Sequence, residues 1–247
     1  MVSVSSPALS GSAVIPKRLA RVAFFATLLL IPMRLRFDLL PRPQALLQPE
    51  YTDFLLYAPE IAMLATLLFW GLSLLACPRR LRPGPAYLWV PLAGATLAGL
   101  LSAAASLDRA LTLYHAVRLA GFFLFFLYVV NELDGPAPVL YAAAVLYAAA
   151  LQGLLQAPVA ILQFLSQRSL GLQALGEQSL DPLRAGISII SSGSGRVLRA
   201  YGLSDHPNIL GGALAFGLVL LLAAYLWSEI ALPRVRDFRG LSATSFD

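Results

Sequence analysis

The chain has 247 residues, of which 58% are hydrophobic and 13% are charged, whereas ordinary soluble domains carry about 25% charged residues. Apolar stretches of about 20 residues, long enough to cross a ~30 Å hydrocarbon core, recur along it, so a soluble domain is excluded and an integral membrane protein is predicted. The net charge of +5 does not indicate nucleic-acid binding, because the arginines form short clusters between apolar stretches, as membrane topology requires.

The chain is predicted to form an all-α, polytopic bundle of about six transmembrane helices, spanning residues 17–230. Residues 1–16 are Ser-rich and are expected to be a disordered cytoplasmic tail. Lys17, Arg18 and Arg21 then precede an apolar run over residues 22–33, as in a signal peptide. No small-residue cleavage site follows, so a retained first helix is favoured. The other five spans are predicted at 54–76, 86–106, 110–130, 139–165 and 209–227, and residues 231–247 are expected to be a polar cytoplasmic tail.

The basic clusters predict the orientation. With the N-terminus in the cytoplasm, three clusters lie inside: Lys17/Arg18/Arg21, Arg79/Arg80/Arg82 and Arg234/Arg236/Arg239. The outer segments also carry arginines, but the compact "CPRRLRP" loop favours this orientation. Six spans then leave both termini in the cytoplasm and make residues 166–208 an extracytoplasmic loop of about 40 residues.

The stretch "RAYGLSDHPNILGG", residues 199–212, lies where the sixth span enters the membrane. Asn208 is a candidate N-cap for a helix starting at Ile209; alternatively Pro207 is the first helical residue and His206 or Asp205 is the cap. In either case, unpaired N–H groups and the positive end of the helix dipole are expected to form an anion site.

Arginines around this helix start are candidate phosphate ligands. The guanidinium of Arg199 can bind phosphate oxygens bidentately, and Arg184 and Arg196 are placed to add positive charge. The alternative is an ordinary helix entry made of a cap, a proline and an arginine that reaches the interface.

Two segments resemble a known family. These are residues 170–212, with "GLQALGE", a Gly-rich turn and "RAYG" followed by "HPN", and the upstream "SAAASLDRALTLYHAVRLAGFFLFF". They resemble the O-antigen ligase and O-antigen polymerase family, over about residues 20–230. The resemblance implies a glycosyltransferase in the bacterial cytoplasmic membrane, acting outside on polyprenyl-diphosphate-linked glycans without a metal or other cofactor. Family members typically have about twice as many spans, so we expect an N-terminal half completed by a companion segment or chain.

Ionisable residues within spans are costly and therefore indicate function or pairing. Glu60 and Arg118 are predicted at similar depth in the second and fourth spans, and an ion pair between them is expected. The pair either fixes helix packing or lets Arg118 hold a lipid diphosphate that Glu60 orients. His115 shares a helix face with Arg118 and is expected to be a hydrogen-bonded structural residue.

Gln152, Gln156 and Gln163 form a polar stripe on the fifth span. The stripe either lines a cavity for sugar hydroxyls or bonds to neighbouring helices, and the second interpretation is favoured. A metal site is not predicted, because the acid-x-acid motif Glu132-Leu133-Asp134 falls on the cytoplasmic side.

Two functional hypotheses follow. In the first, the chain is a glycosyltransferase in which Arg199 is the main diphosphate ligand and Arg118 and Arg184 are weaker ones. His206 is then either the general base or a residue that shapes the turn, and the base is expected in the second half of the protein. In the second hypothesis the chain is a non-catalytic lipid-binding module or assembly partner.

Overall fold

The computed structural model describes residues 11–42, 52–132, 137–183, 186–193 and 195–242. The chain divides into two compact units, Met1–Ala142 (unit 1) and Ala143–Asp247 (unit 2). Arg184, one of the predicted phosphate ligands, lies outside the described residues.

Long helices dominate the described part of the chain. They are α1 (Gly11–Leu30), α2 (Ala58–Ala76), α3 (Ala86–Ala105), α4 (Arg109–Glu132), α5 (Ala137–Ser166) and α6 (Pro207–Ser242). Five of these six, α2 to α6, have stretches long and apolar enough to cross a membrane, so the chain is a multi-pass helical membrane protein. Helix α1 is not among the five, because Lys17, Arg18 and Arg21 lie within it.

The bounds of three predicted spans are confirmed to within two residues, at α3, α4 and α5. The ends of the chain differ from the prediction. Helix α1 already begins at Gly11, so residues 11–16 are not a disordered tail. Helix α6 continues to Ser242, so most of the segment expected to be a polar tail is helical.

The described residues also form two short antiparallel sheets, which the all-α prediction missed. Strand β1 (Arg36–Leu40) pairs with β2 (Phe54–Tyr57), and β3 (Ile189–Ser192) pairs with β4 (Gly195–Leu198). The second predicted span began too early because the apolar run over β2 looks the same as the start of a helix. Helix α2 begins only at Ala58, where the Tyr57 N–H donates to Oε2 of Glu60 at 3.0 Å.

An aromatic cluster forms the core of unit 1. Phe24, Trp70, Tyr128 and Tyr141 are buried together, and the hydroxyls of Tyr128 and Tyr141 are 2.8 Å apart. Aromatic rings contribute large buried areas and favour edge-on contacts, so this cluster holds α1, α2 and α4 together.

In unit 2, the segment between α5 and α6 has its own small core. Leu180, Ile187, Leu198 and Tyr201 are buried against one another. The segment contains a 3₁₀ turn (Gln173–Leu175) and the β3–β4 hairpin. The sequence "RAYGLSDHPN" leaves this hairpin and leads into α6.

Candidate functional site

Two places in the chain carry the predicted site residues. One is the segment before α6 in unit 2, and the other is a groove along α2 and α4 in unit 1.

The segment before α6 is held by two buried glutamines of α5. Oε1 of Gln163 accepts hydrogen bonds from the N–H groups of Tyr201 (3.1 Å) and Gly202 (2.7 Å), and its Nε2 donates to the Gly202 carbonyl at 2.9 Å. Oε1 of Gln156 accepts from the Leu203 N–H at 2.7 Å. Both side chains make structural hydrogen bonds, but the favoured bonding to neighbouring helices is not confirmed, because these bonds go to the backbone of the loop before α6. Gln152 is also buried.

Glu177 completes this arrangement and was not predicted from the sequence. Its side chain is buried, and its carboxylate accepts from the N–H groups of Leu170 (2.7 Å) and Leu172 (2.6 Å) and from Nε2 of Gln163 (2.9 Å). Three N–H donors stabilise a buried carboxylate. The only sequence signal was its place in "GLQALGE", at a turn after an apolar helix.

Gly202 has a backbone reason to be glycine. Its φ is +61°, in the left-handed region that favours glycine. A Cβ at this position would also collide with Oε1 of Gln156 and lie 2.9 Å from the side chain of Leu210. The glycine therefore lets the backbone approach the glutamine clamp.

The start of α6 corrects the predicted anion site. Helix α6 begins at Pro207, so Asn208 is not the N-cap; the alternative with His206 as the cap is confirmed. Nδ1 of His206 accepts from the Asn208 N–H at 3.1 Å, and its carbonyl accepts from Ile209 (3.0 Å) and Leu210 (3.1 Å). Pro207 has no N–H, so the first N–H groups of the helix are paired, and the expected unpaired donors are not present.

Arg199 lies beside this helix start and has protein partners. Its Nη2 donates to Oδ1 of Asn208 at 2.8 Å, and its Nη1 donates to Oγ of Ser188 at 3.2 Å. The structure thus brings Arg199, Asn208 and His206 together. Arg196 lies on β4 and is exposed, and no contact joins it to Arg199 among the described residues.

The groove in unit 1 is a cavity of about 480 Å³, within the ~300–1,000 Å³ typical of ligand sites. It follows α4 from Ala110 to Gly121, which is about 16 Å at the helical rise. Its lining is apolar apart from the Glu60 and Arg118 side chains, and the apolar and aromatic walls are Phe54, Leu56, Met63, Leu64, Leu113, Tyr114 and Val117.

The predicted Glu60–Arg118 ion pair is present in this groove. Nε of Arg118 donates to Oε1 of Glu60 at 2.5 Å, and Nη2 contacts the same oxygen. The Glu60 side chain is 8% exposed and that of Arg118 is 29% exposed. Among the described residues, Nη1 of Arg118 makes no hydrogen bond, so the guanidinium has one edge on Glu60 and the other unoccupied.

Tyrosines surround this arginine, which the sequence did not predict. The Arg118 guanidinium lies 5.6 Å from the ring centre of Tyr57 and 5.2 Å from that of Tyr114, close enough for cation–π attraction. The Tyr114 hydroxyl donates to the Leu55 carbonyl and accepts from the Leu55 N–H, which joins α4 to β2. His115 is exposed and its ring meets the Tyr114 ring edge-on at 4.9 Å.

A second ion pair lies close to the Ala110 end of the groove. Nη1 of Arg42 donates to Oδ2 of Asp108 at 2.6 Å, and the Arg42 guanidinium lies 5.6 Å from the centre of the Phe54 ring. Oδ1 of Asp108 accepts from the Leu111 N–H at 3.0 Å and so caps α4. The Leu111 N–H and Arg42 together hold the pKa of Asp108 below its ordinary value of 3.8.

No protein-family model, curated protein or solved structure matches the chain. Its function therefore has to be inferred from its own residues.

Proposed function

We propose that the chain binds a polyprenyl-diphosphate-linked glycan and takes part in transferring that glycan to an acceptor hydroxyl, as in the O-antigen ligase and polymerase family. The single observation that carries the proposal is the unoccupied edge of Arg118 in an apolar groove. The groove walls suit an isoprenoid chain. The Nη1 group, which makes no hydrogen bond to the described residues, suits a phosphate oxygen.

The proposal includes a membrane topology. Both termini lie in the cytoplasm of a bacterial cell, α1 serves as the first of six spans, and residues 166–208 face outward. Helix α4 then begins at the outer surface, and Arg118 lies nine residues along it, about 13 Å by the helical rise. The groove opens in the outer half of the membrane, where a lipid-linked sugar is presented after export.

The chemistry required of the site is charge neutralisation. When the glycan leaves its carrier, negative charge accumulates on the diphosphate oxygens, and a preorganised cation stabilises it. Arg118 is preorganised because Glu60 and two tyrosine rings fix its guanidinium. Arg199 is the second candidate ligand, and to bind phosphate it has to exchange Asn208 or Ser188 for the ligand.

His206 is better suited to shaping the turn than to acting as a base. Its Nδ1 accepts the Asn208 N–H, so the neutral ring carries its proton on Nε2. Accepting a proton from a hydroxyl at Nε2 requires the other tautomer, which would direct a proton at the Asn208 N–H. The hydrogen bond that caps α6 therefore disfavours the tautomer in which His206 could act as a base.

Direct binding tests the proposal. Farnesyl diphosphate, a short polyprenyl diphosphate, is titrated onto the full chain in nanodiscs, with farnesol as the uncharged reference. A charge-assisted hydrogen bond contributes about 1.5–3 kcal/mol, so R118Q should weaken farnesyl diphosphate binding about 10- to 100-fold and leave farnesol binding unchanged. R109Q removes an exposed arginine of the same helix and serves as the matched control.

The double variant E60Q/R118Q guards against misfolding, because it leaves no unpaired carboxylate beside the groove. It should lose diphosphate binding as R118Q does. Equal affinity of the wild type for farnesol and farnesyl diphosphate would refute the proposal, as would unchanged binding in E60Q/R118Q.

A second candidate function is lipid-diphosphate binding without catalysis, in a module or assembly partner. One observation favours it: Arg199, Asn208 and His206 are bonded to one another or to their own loop. Transfer assays in membranes containing the lipid-linked glycan separate the two functions. Binding that depends on Arg118 without any transfer supports the non-catalytic role.

A further inference from the structure

One end of unit 1 carries a concentration of positive charge around one buried carboxylate. We call it the basic end and define it by Lys17, Arg18, Arg79, Arg80 and Arg82, together with Glu132. Lys17 and Arg79 form ion pairs with Glu132, whereas Arg18 and Arg80 are exposed. Exposed positive charge therefore lies on α1 and in the loop after α2, next to the C-terminal end of α4.

Glu132 anchors two of the cations. Its Oε2 lies 3.0 Å from Nζ of Lys17, and its Oε1 accepts from Arg79 and, at 3.1 Å, from Nε1 of Trp70. The Glu132 side chain is 1% exposed, so this carboxylate is occupied within the protein. It neutralises Lys17 and Arg79, and so links α1 and the loop after α2 to the end of α4.

The neighbouring arginines are exposed. Arg18 follows Lys17 on α1, and Arg80 follows Arg79 in the loop after α2; both side chains are exposed. The loop is held a second time at Arg82, whose N–H donates to Oδ1 of Asn131 at 2.8 Å and whose carbonyl accepts from Nδ2 of Asn131 at 2.9 Å. Arg18 and Arg80 are therefore exposed residues that directly follow the two cations paired with Glu132.

We propose that the basic end is a binding site for the headgroups of anionic phospholipids, with Arg18 and Arg80 as the phosphate ligands. Anionic headgroups are the proposed ligand because the end of a membrane-spanning helix bundle lies at headgroup level and the exposed charge at this end is positive. Arginine binds phosphate oxygens bidentately, and basic residues at the membrane surface attract anionic lipids. The site uses none of the groove residues, so it is independent of the proposed function.

Native mass spectrometry of the full chain in detergent tests the site with phosphatidylglycerol as the probe and phosphatidylcholine as the neutral reference. The first phosphatidylglycerol should bind more tightly than phosphatidylcholine. R18Q/R80Q should weaken its binding about 25-fold, at about fivefold for each arginine, without changing phosphatidylcholine binding. R18K/R80K keeps both charges but loses the bidentate fork, so it should bind phosphatidylglycerol more weakly than the wild type and more tightly than R18Q/R80Q.

R109Q removes an exposed arginine at the opposite end of α4 and is the matched control; it should bind phosphatidylglycerol as the wild type does. The proposal is overturned if R18Q/R80Q keeps wild-type affinity, if R109Q loses as much, or if the lysine variant loses as much as the glutamine variant. Should R18Q/R80Q fail to fold, the single variants R18Q and R80Q decide, each with an expected loss of about fivefold.

Discussion

Replacing Gln163 by alanine should open the loop that precedes α6. In the folded protein this side chain satisfies the N–H groups of Tyr201 and Gly202 and the Gly202 carbonyl, all in a buried environment. A buried polar group left without a partner costs about 1–3 kcal/mol. For three such groups we expect the loop to be destabilised by about 3 kcal/mol. This is the low end of the summed range, because water can enter the space that the side chain leaves and bind some of these groups.

Hydrogen–deuterium exchange of the full chain in nanodiscs measures this effect locally. A loss of about 3 kcal/mol corresponds to about a 100-fold fall in protection at the amides of Tyr201 and Gly202. L162A is the matched control, because Leu162 is the preceding residue and is 53% exposed. If the two amides exchange in Q163A within about threefold of their rate in L162A, the glutamine clamp does not hold this loop.

Two further predictions concern Arg199 with His206, and Asp108. R199A should abolish glycan transfer in membranes without reducing membrane insertion, and normal transfer activity in R199A would exclude Arg199 from the site. H206N retains a capping side chain and should keep most of the transfer activity. Total loss of activity in H206N would instead support His206 as the base. Leu111 and Arg42 lower the pKa of Asp108. The charged form of Asp108 therefore stabilises the fold at pH values above its ordinary pKa of 3.8, and this stabilisation is lost as the pH falls through the lowered pKa. D108N keeps the helix cap but not the charge, so melting temperatures measured from about pH 7 to about pH 2 should show the wild type more stable at neutral pH and the difference vanishing in acid; a difference that does not change with pH contradicts the assigned role.

The spans and one ion pair could be predicted from the sequence. Helices α3, α4 and α5 follow from length and apolar content alone, because a bilayer admits few alternatives to a helix of about 20 apolar residues. The Glu60–Arg118 pair could be predicted because each charge within a span needs a partner and these two lie at similar depth. Depth along a helix is a local property, and it can be counted residue by residue.

Only the tertiary structure decided what the remaining polar groups bind. Gln163 was visible as part of a stripe, but its partner Gly202 lies 39 residues away, and no periodicity carries that pairing. The run Phe54–Tyr57 is a strand because β1 pairs with it, although its composition fits a helix equally well. The N–H groups at the start of α6 are paired because His206 turns back on them. The first two outcomes depend on long-range geometry, since a hydrogen bond is directional and its partner is chosen by how the chain packs. The His206 cap is local, and the structure decided only between the caps that the sequence allowed.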